Sequence, residues 1–392
     1  MRRGVKLTMW VVAFGLVIAG MTSCKRNASR AVVRVGFINS ITGPEAPIGE
    51  NLTNGALLAI EDVKRAGIDV QLVQQDDTGK PDKAIAAIEQ LATIDKVAGV
   101  VGPYTSACAN AVAKQAEQYQ VAQLIPAASK EEITRQGYQW VFRLNAPSHV
   151  YAESLLDAAL AFGSPKSIAF IYESTDFGST LAKTGQDIAK RRGLEVVADE
   201  SYQKGSPDYR STLTKVKEKA PHLVFLVSYV ADAILLMRQS RELGLKPQAF
   251  LGGGAGFDTA QFEAEKDIST NVFSVSQWTK DTNWSGAADF DARYRQRFGK
   301  KPAYHAACAY VATKIMAEAA AKQNGDRKQI RDALASGRWD GILGDVQFKT
   351  FDGFTNQNQH EMVVVQYQGG NAVTVWPKKL ARAEAVYPFP GW

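Results

Sequence analysis

Short, almost uninterrupted apolar runs alternate with helix-length amphipathic segments, and the alternation restarts once along the chain. From residue 32, strand-like runs at 32–39, 70–75, 98–102 and 122–126 are separated by helix-like segments at 50–66, 81–95 and 106–119. A strand that is apolar throughout is covered on both faces, and parallel neighbours need a crossover between them. The pattern therefore predicts a parallel sheet with helices on both sides. A second set follows, with strands at 167–172, 194–198, 223–227 and 249–251 and helices at 178–192, 209–219 and 232–243. Two βα sets of similar size predict an α/β chain of two Rossmann-like lobes. The stretch 285–336 reads as mostly helical; a short strand at 346–348, a polar loop and a strand at 362–368 follow. No repeat with a period of 20–50 residues is visible.

The N-terminus has its own logic. Arg2, Arg3 and Lys6 precede an apolar run from Leu7 to Met21, and Thr22-Ser23-Cys24 follows. A basic start, a short apolar core and small residues before a cut site form a secretory signal. The run is shorter than the roughly 20 residues that span a bilayer. Met21-Thr22-Ser23-Cys24 resembles a bacterial lipobox, although Met21 stands where leucine is usual. The resemblance implies a signal peptide at 1–24, lipid on Cys24 and a polar tether at 25–31.

Removing 24 residues from 392 leaves 368, enough for two lobes. The formal charge is +6, from 46 basic and 40 acidic residues. Without the three cations of the signal the balance is 43 to 40, too even and too scattered for a nucleic-acid surface. Cys108 and Cys308 remain after Cys24; they either pair or are buried as free thiols. The four histidines lack metal-ligand spacing, so neither metal nor cofactor is expected. No G-x-S-x-G elbow and no phosphate loop is present, and Ser106 has no histidine predictably near it, so no enzyme is expected.

Parallel sheets bind ligands beyond the carboxyl ends of their strands. The loops there carry recognisable sequence: Ile41-Thr42-Gly43-Pro44, Asp76-Asp77-Thr78, Val101-Gly102-Pro103-Tyr104-Thr105-Ser106 and Ile125-Pro126-Ala127-Ala128-Ser129. Val141-Phe142-Arg143, Phe177-Gly178, Phe298-Gly299-Lys300-Lys301-Pro302-Ala303-Tyr304 and Gly344-Asp345-Val346-Gln347-Phe348 follow in order. Over about 32–370, this series resembles the type I periplasmic binding proteins of ABC importers, in their branched-chain amino-acid branch. The resemblance implies two lobes joined by three crossovers around a cleft. Lobe one would hold 31–145 and 278–345, lobe two 146–277 and 346–380, with a C-terminal tail at 381–392. It implies capture of an amino acid or related small carboxylate by lobe closure, outside the cytoplasm, with ABC permease subunits and the membrane as partners. An aromatic or organic acid, an amide, or a sensing role of the same fold stands as the alternative.

The resemblance also carries a site. Ser106 and Ser129 match hydroxyl positions and Ala127 a backbone carbonyl. Ser106 also reads as the N-cap of its helix, where free N–H groups favour an anion. Tyr229 matches a tyrosine that closes over the ligand. Phe177 and Ile48 stand where tyrosine is frequent, and Trp278 is a cleft wall at the second crossover. Gly254, within Gly252-Gly253-Gly254-Ala255-Gly256, falls where amino-acid binders often carry glutamate against the ligand ammonium. Either Asp258, Asp232, Asp176 or Glu45 takes over, or the ligand has no ammonium.

Overall fold

The computed structural model describes Met1 and residues 32–392, and Ala31–Trp392 form one compact unit. The expected signal peptide, Cys24 and the tether lie outside the described residues. In chain order the first set is β1 (Val33–Asn39), α1 (Ala46–Arg65), β2 (Val70–Asp76), α2 (Pro81–Glu89), β3 (Gly99–Val101), α3 (Ser106–Tyr119), β4 (Ala122–Ile125) and β5 (Val141–Arg143). The second set is α4 (Ser148–Phe162), β6 (Ser167–Glu173), α5 (Asp176–Arg191), β7 (Glu195–Tyr202), α6 (Arg210–Glu218), β8 (Leu223–Val227), α7 (Val230–Glu242), β9 (Ala249–Gly252), α8 (Ala260–Ala264), α9 (Lys266–Ser269) and β10 (Phe273–Ser276). The chain then runs through α10 (Ala287–Phe298), α11 (Tyr304–Lys322) and α12 (Arg327–Ser336). Six strands end it: β11 (Trp339–Gly341), β12 (Gly344–Val346), β13 (Phe348–Phe351), β14 (Phe354–Asn358), β15 (Val363–Gln368) and β16 (Asn371–Trp376).

Two seven-stranded sheets result. The first has the order β13-β14-β5-β4-β3-β1-β2, the second β16-β15-β10-β9-β8-β6-β7. Inner strands pair parallel, with Val35 opposite both Leu72 and Gly99 and with Ile168 opposite Leu223. That register gathers the carboxyl ends of β1, β3 and β4 at one edge of the first sheet, and those of β6, β8 and β9 at one edge of the second. The loops at those edges are the ones singled out from sequence.

Local chemistry sets the helix ends. Pro81 starts α2, where its missing N–H costs nothing. The helix does not run to residue 95 as expected; it ends at Glu89 and widens into a π-helical turn, Gln90–Ile94. Thr105, not Ser106, caps α3: its hydroxyl accepts from the Cys108 amide at 3.4 Å. Gly55 lets α1 lie directly on α11, since a Cβ there would stand 2.1 Å from the Ala306 carbonyl oxygen. Gly55→Ala is expected to lower the unfolding free energy by about 2–3 kcal/mol through overpacking. Urea titration checks this; an unchanged midpoint would mean that the helices part freely.

Two boundaries differ from the sequence expectation. β13 and β14 belong to the first sheet, β14 pairing parallel with β5 through Gln357 and Arg143. The passage into the second sheet therefore falls after Asn358, not at 346. The expected polar loop contains a buried inner strand because its amides have partners. The Gln357 Oε1 accepts from Arg143 and Thr134, and the Asn358 side chain donates to the Leu144 carbonyl. The segment 381–392 is no free tail. Phe389 and Trp392 pack on Phe250, and the Tyr387 hydroxyl donates to Gln248 at 2.7 Å. Cys108 and Cys308 are buried, free and in separate cores.

The three crossovers are joined by carboxamides. Gln277 accepts from the Ala146 amide at 3.2 Å and donates to Asn145 and to the Tyr151 hydroxyl. Gln357 donates to the Asn145 carbonyl at 2.8 Å, and the His360 ring meets the Gln277 carbonyl at 2.6 Å.

Candidate ligand-binding site

Where the two sets of strand ends face each other, a small cavity lies between the lobes. Tyr104, Ser106, Ala127 and Tyr304 wall it from the first lobe, and Tyr151, Phe177, Tyr229 and Ala255 from the second. About 10 Å³ is open to the centre of a water molecule, barely the room one water needs. The rings fill the rest. Tyr104 meets Tyr229 edge-on across the cleft at 6.0 Å, and Phe177 backs Tyr229 at 5.4 Å. His305 lies behind, stacked on Tyr304 at 3.9 Å and edge-on to Tyr104 at 5.5 Å.

Ser106 is the polar floor. With Thr105 as cap, Ser106 is the first residue inside α3. Its hydroxyl oxygen accepts from the amides of Ser129 and Lys130, both at 3.3 Å. Its own proton has no acceptor among the described residues, so it can donate to a ligand. An anion there would also meet the positive end of a 14-residue helix. The Tyr104 hydroxyl is buried without a partner among the described residues, and burial holds it well above the ordinary phenol range. It is a second donor in the same wall.

Of the residues expected at the site, Ser106, Ala127, Phe177 and Tyr229 come together on the cavity. Ser129 stands behind Ser106; its carbonyl accepts from the Ser148 amide and hydroxyl at 2.9 Å. Ile48 is buried in α1, in the core and not on the cavity wall. Gly254 has a left-handed φ of 75°, and a Cβ there would meet the Tyr151 ring at 3.0 Å, so it supports the wall from outside. Its neighbour Ala255 lines the cavity instead. Trp278 borders a different hollow of about 230 Å³, together with Asp258, and Tyr304 separates that hollow from the cavity.

None of the four candidate acids lines the cavity. Asp176 pairs with Lys130 at 2.7 Å. Asp232 accepts from the Gly205 amide at 3.1 Å. Glu45 pairs with Lys204; burial raises its carboxyl above the ordinary range, and the Lys204 charge opposes that rise. Asp258 is pushed up to about 7 by burial. The Lys130–Asp176 and Glu45–Lys204 pairs each join a first-lobe residue to a second-lobe residue, and the Lys204 ammonium lies 4.5 Å from the Tyr229 ring centre. Both pairs therefore hold the two lobes together across the cleft.

Tyr104, Tyr151, Tyr304 and Ala255 were not expected from sequence. Tyr104 sits inside a loop already singled out, two residues before Ser106. Tyr151 and Tyr304 lie in the first turns of α4 and α11, Tyr151 just after the first crossover and Tyr304 after the loop that follows α10. An aromatic residue in the first turn of its helix is what the two share.

Two doubly wound lobes, three crossovers and a closed cavity between facing strand ends define a two-lobed ligand-binding protein. Residues 32–372 match the model of the periplasmic binding protein family, and the chain belongs to that family. It is 28% identical over 384 residues to the Leu/Ile/Val-binding protein homolog 7 of Brucella suis, covering 91% of this chain and 94% of that one. Its fold is similar to that of the branched-chain amino acid transporter substrate binding protein LivJ from Streptococcus pneumoniae, solved with isoleucine. The TM-score is 0.78 at 24% identity, over 91% of this chain and 100% of that one. A solute binding protein of an ABC transporter from Rhodopseudomonas palustris, solved with 3,4-dihydroxy benzoic acid, matches with a TM-score of 0.78 at 20% identity. That match covers 91% of this chain and 98% of that one.

Proposed function

We propose that the chain is the extracytoplasmic substrate-binding component of an ABC importer, held to a bacterial membrane by lipid on Cys24. It captures a small carboxylate by closing its lobes and performs no covalent chemistry. The observation that carries the ligand class is the cavity wall: five aromatic rings, a free hydroxyl proton at a helix N-terminus, and no carboxylate. Ser106 and the α3 N-terminus would hold the ligand's carboxylate, with the Tyr104 hydroxyl as a further donor. Tyr229 and Phe177 would close on its body, and Ala127 would flank it. A buried ammonium without a carboxylate partner is costly, so the wall favours an acid lacking an amino group, with a flat or apolar body. The Rhodopseudomonas neighbour carries an acid of that kind. An amino acid is the second reading, favoured by the Leu/Ile/Val-binding name of the Brucella relative and by the isoleucine in the Streptococcus neighbour.

The cavity has no room for either ligand, so the lobes must open to admit it and close on it less far than they do here. The ligand then contributes the free-energy difference between open and closed forms. Thermal stabilisation against paired ligands tests the reading: each L-amino acid beside its deaminated acid, with benzoates added. A ligand at 100 times its Kd should add about 2.7 kcal/mol. Ser106→Ala should weaken the best ligand by roughly 10-fold to 100-fold, the loss of one hydrogen bond to a charged group. If amino acids stabilise and their deaminated partners do not, the ammonium has a partner that the wall does not show. If nothing in the panel stabilises, the carboxylate reading fails.

A further inference from the structure

The end of the first lobe farthest from the cleft carries a second surface. There, at the amino ends of β3, β4 and β5, an open groove of about 790 Å³ runs between the π-helical turn and the start of α12. Four cations line it, Lys96, Arg327, Lys328 and Arg331, against one acid, Asp326. The chain after residue 24 is nearly balanced, at 43 to 40, so four to one is a local concentration. The acid is occupied: Asp326 caps α12 by accepting from the Gln329 amide at 2.8 Å.

The cations differ in how they are held. The Arg327 guanidinium is clamped by the carbonyls of Ala92 and Val97 at 2.7 and 3.0 Å. Arg331 lies 5.3 Å over the Trp140 ring, paired with Asp332 at 2.6 Å. Lys96 and Lys328 are exposed and make no ion pair or hydrogen bond among the described residues. Beside them stands Ile94, in the π-helical turn, 73% exposed; Val32, 52% exposed, stands just before β1. The two edges touch, since Arg34 reaches the Asp95 carbonyl at 3.3 Å. Exposed aliphatic side chains among unpaired cations suit a surface of anionic headgroups over hydrocarbon.

The position of this face supplies the occupant. The described fold begins at its rim, at Val32, and seven residues separate that rim from Cys24. Fully extended, seven residues reach about 25 Å. The tether adds Lys25, Arg26 and Arg30. We infer that this end of the first lobe docks on the membrane surface, its Lys96–Lys328 groove meeting anionic phospholipid headgroups and Ile94 entering the interface. The inference rests on the lipid-anchor reading of Cys24 for its orientation, but its test does not use the lipid.

The unit Ala31–Trp392 contains both sheets and every core, so it serves without the anchor. It is sedimented with phosphatidylcholine vesicles, with and without about a third of phosphatidylglycerol. The expected result is binding to the anionic vesicles alone, lost near 1 M salt, where the Debye length is about 3 Å. Lys96→Glu with Lys328→Glu should reduce partitioning about tenfold or more, and Ile94→Asp should reduce it further. Lys183→Glu with Lys219→Glu, exposed on the second lobe, makes the same change in net charge and should leave binding unchanged. Equal binding to neutral vesicles, no binding at all, or equal loss in both double variants would overturn the inference. Ligand stabilisation should persist in Lys96→Glu/Lys328→Glu, so failure here and failure of the carboxylate reading are separate results.

Discussion

Arg143→Met should lower the unfolding free energy by about 3–5 kcal/mol, the cost of leaving three buried acceptors without their charged donor. Arg143 is wholly buried, and burial draws its guanidinium down to about 10, still cationic at neutral pH. It donates to the Gln357 Oε1 and the Lys130 carbonyl, both at 2.6 Å, and to the Thr134 hydroxyl at 2.8 Å. Methionine matches its length and leaves those acceptors in the dry interior without it. The effect should reach the hinge as well. Gln357, freed from Arg143, also holds the Asn145 carbonyl in the first crossover. Urea unfolding measures the loss; a change below about 1 kcal/mol would mean that water replaces the guanidinium. Adding Gln357→Met should recover part of the loss, because an apolar pair leaves fewer orphaned groups.

The second large effect concerns acid. His305 is fully buried, both ring nitrogens lack partners among the described residues, and burial drops its pKa from 6.5 to about 3. Below pH 6.5 the unfolded chain takes up a proton that the folded chain refuses until about pH 3. Its contribution to stability is therefore fully present above 6.5 and lost as pH falls, the loss reaching roughly 4 kcal/mol at pH 3. Asp258 runs the other way. With its carboxyl raised from 3.8 to about 7, the folded form holds a proton that the unfolded form has released. Its contribution is fully present below 3.8 and lost as pH rises through 7. Between about pH 4 and 6.5 the two oppose each other, and the wild-type profile should be shallow.

Single variants separate them. His305→Phe keeps a ring between Tyr304 and Tyr104 and removes two unpaired nitrogens. Relative to wild type it should gain stability progressively as pH falls from 6.5 to 4. Asp258→Asn should instead gain as pH rises from 4 to 7. Unfolding midpoints across that range check both; parallel curves for wild type and His305→Phe would show that the ring titrates with solvent access.

The two lobes, α3 and the loops around Ser106, Ala127, Phe177 and Tyr229 were legible because their signals are local. A parallel strand is apolar along its length, and a helix start shows its cap. β14 was not legible. Phe354-Thr355-Asn356-Gln357-Asn358 is polar, and its burial depends on Arg143 and Leu144, more than two hundred residues earlier. Nothing within the segment reports such partners. Serine before an apolar helical stretch reads as a cap, and Ser106 does so from sequence, but the neighbouring Thr105 performs that role. Trp278 and Ile48 were expected in the cleft, but a large apolar residue reads the same from sequence whether it faces a core or a cavity. The same ambiguity hid Tyr151 and Tyr304.

The placement of β14 has a consequence for the order in which this protein can be made. One side of β5 in the first sheet waits for a strand that lies beyond the whole of the second sheet's parallel core. An N-terminal lobe that closed on itself would fold as it left the ribosome, whereas this one lacks the partner of Arg143 until residue 357 has been synthesised. Pairings so distant in sequence also form slowly. The two lobes of a chain built this way complete together, once the last strands arrive.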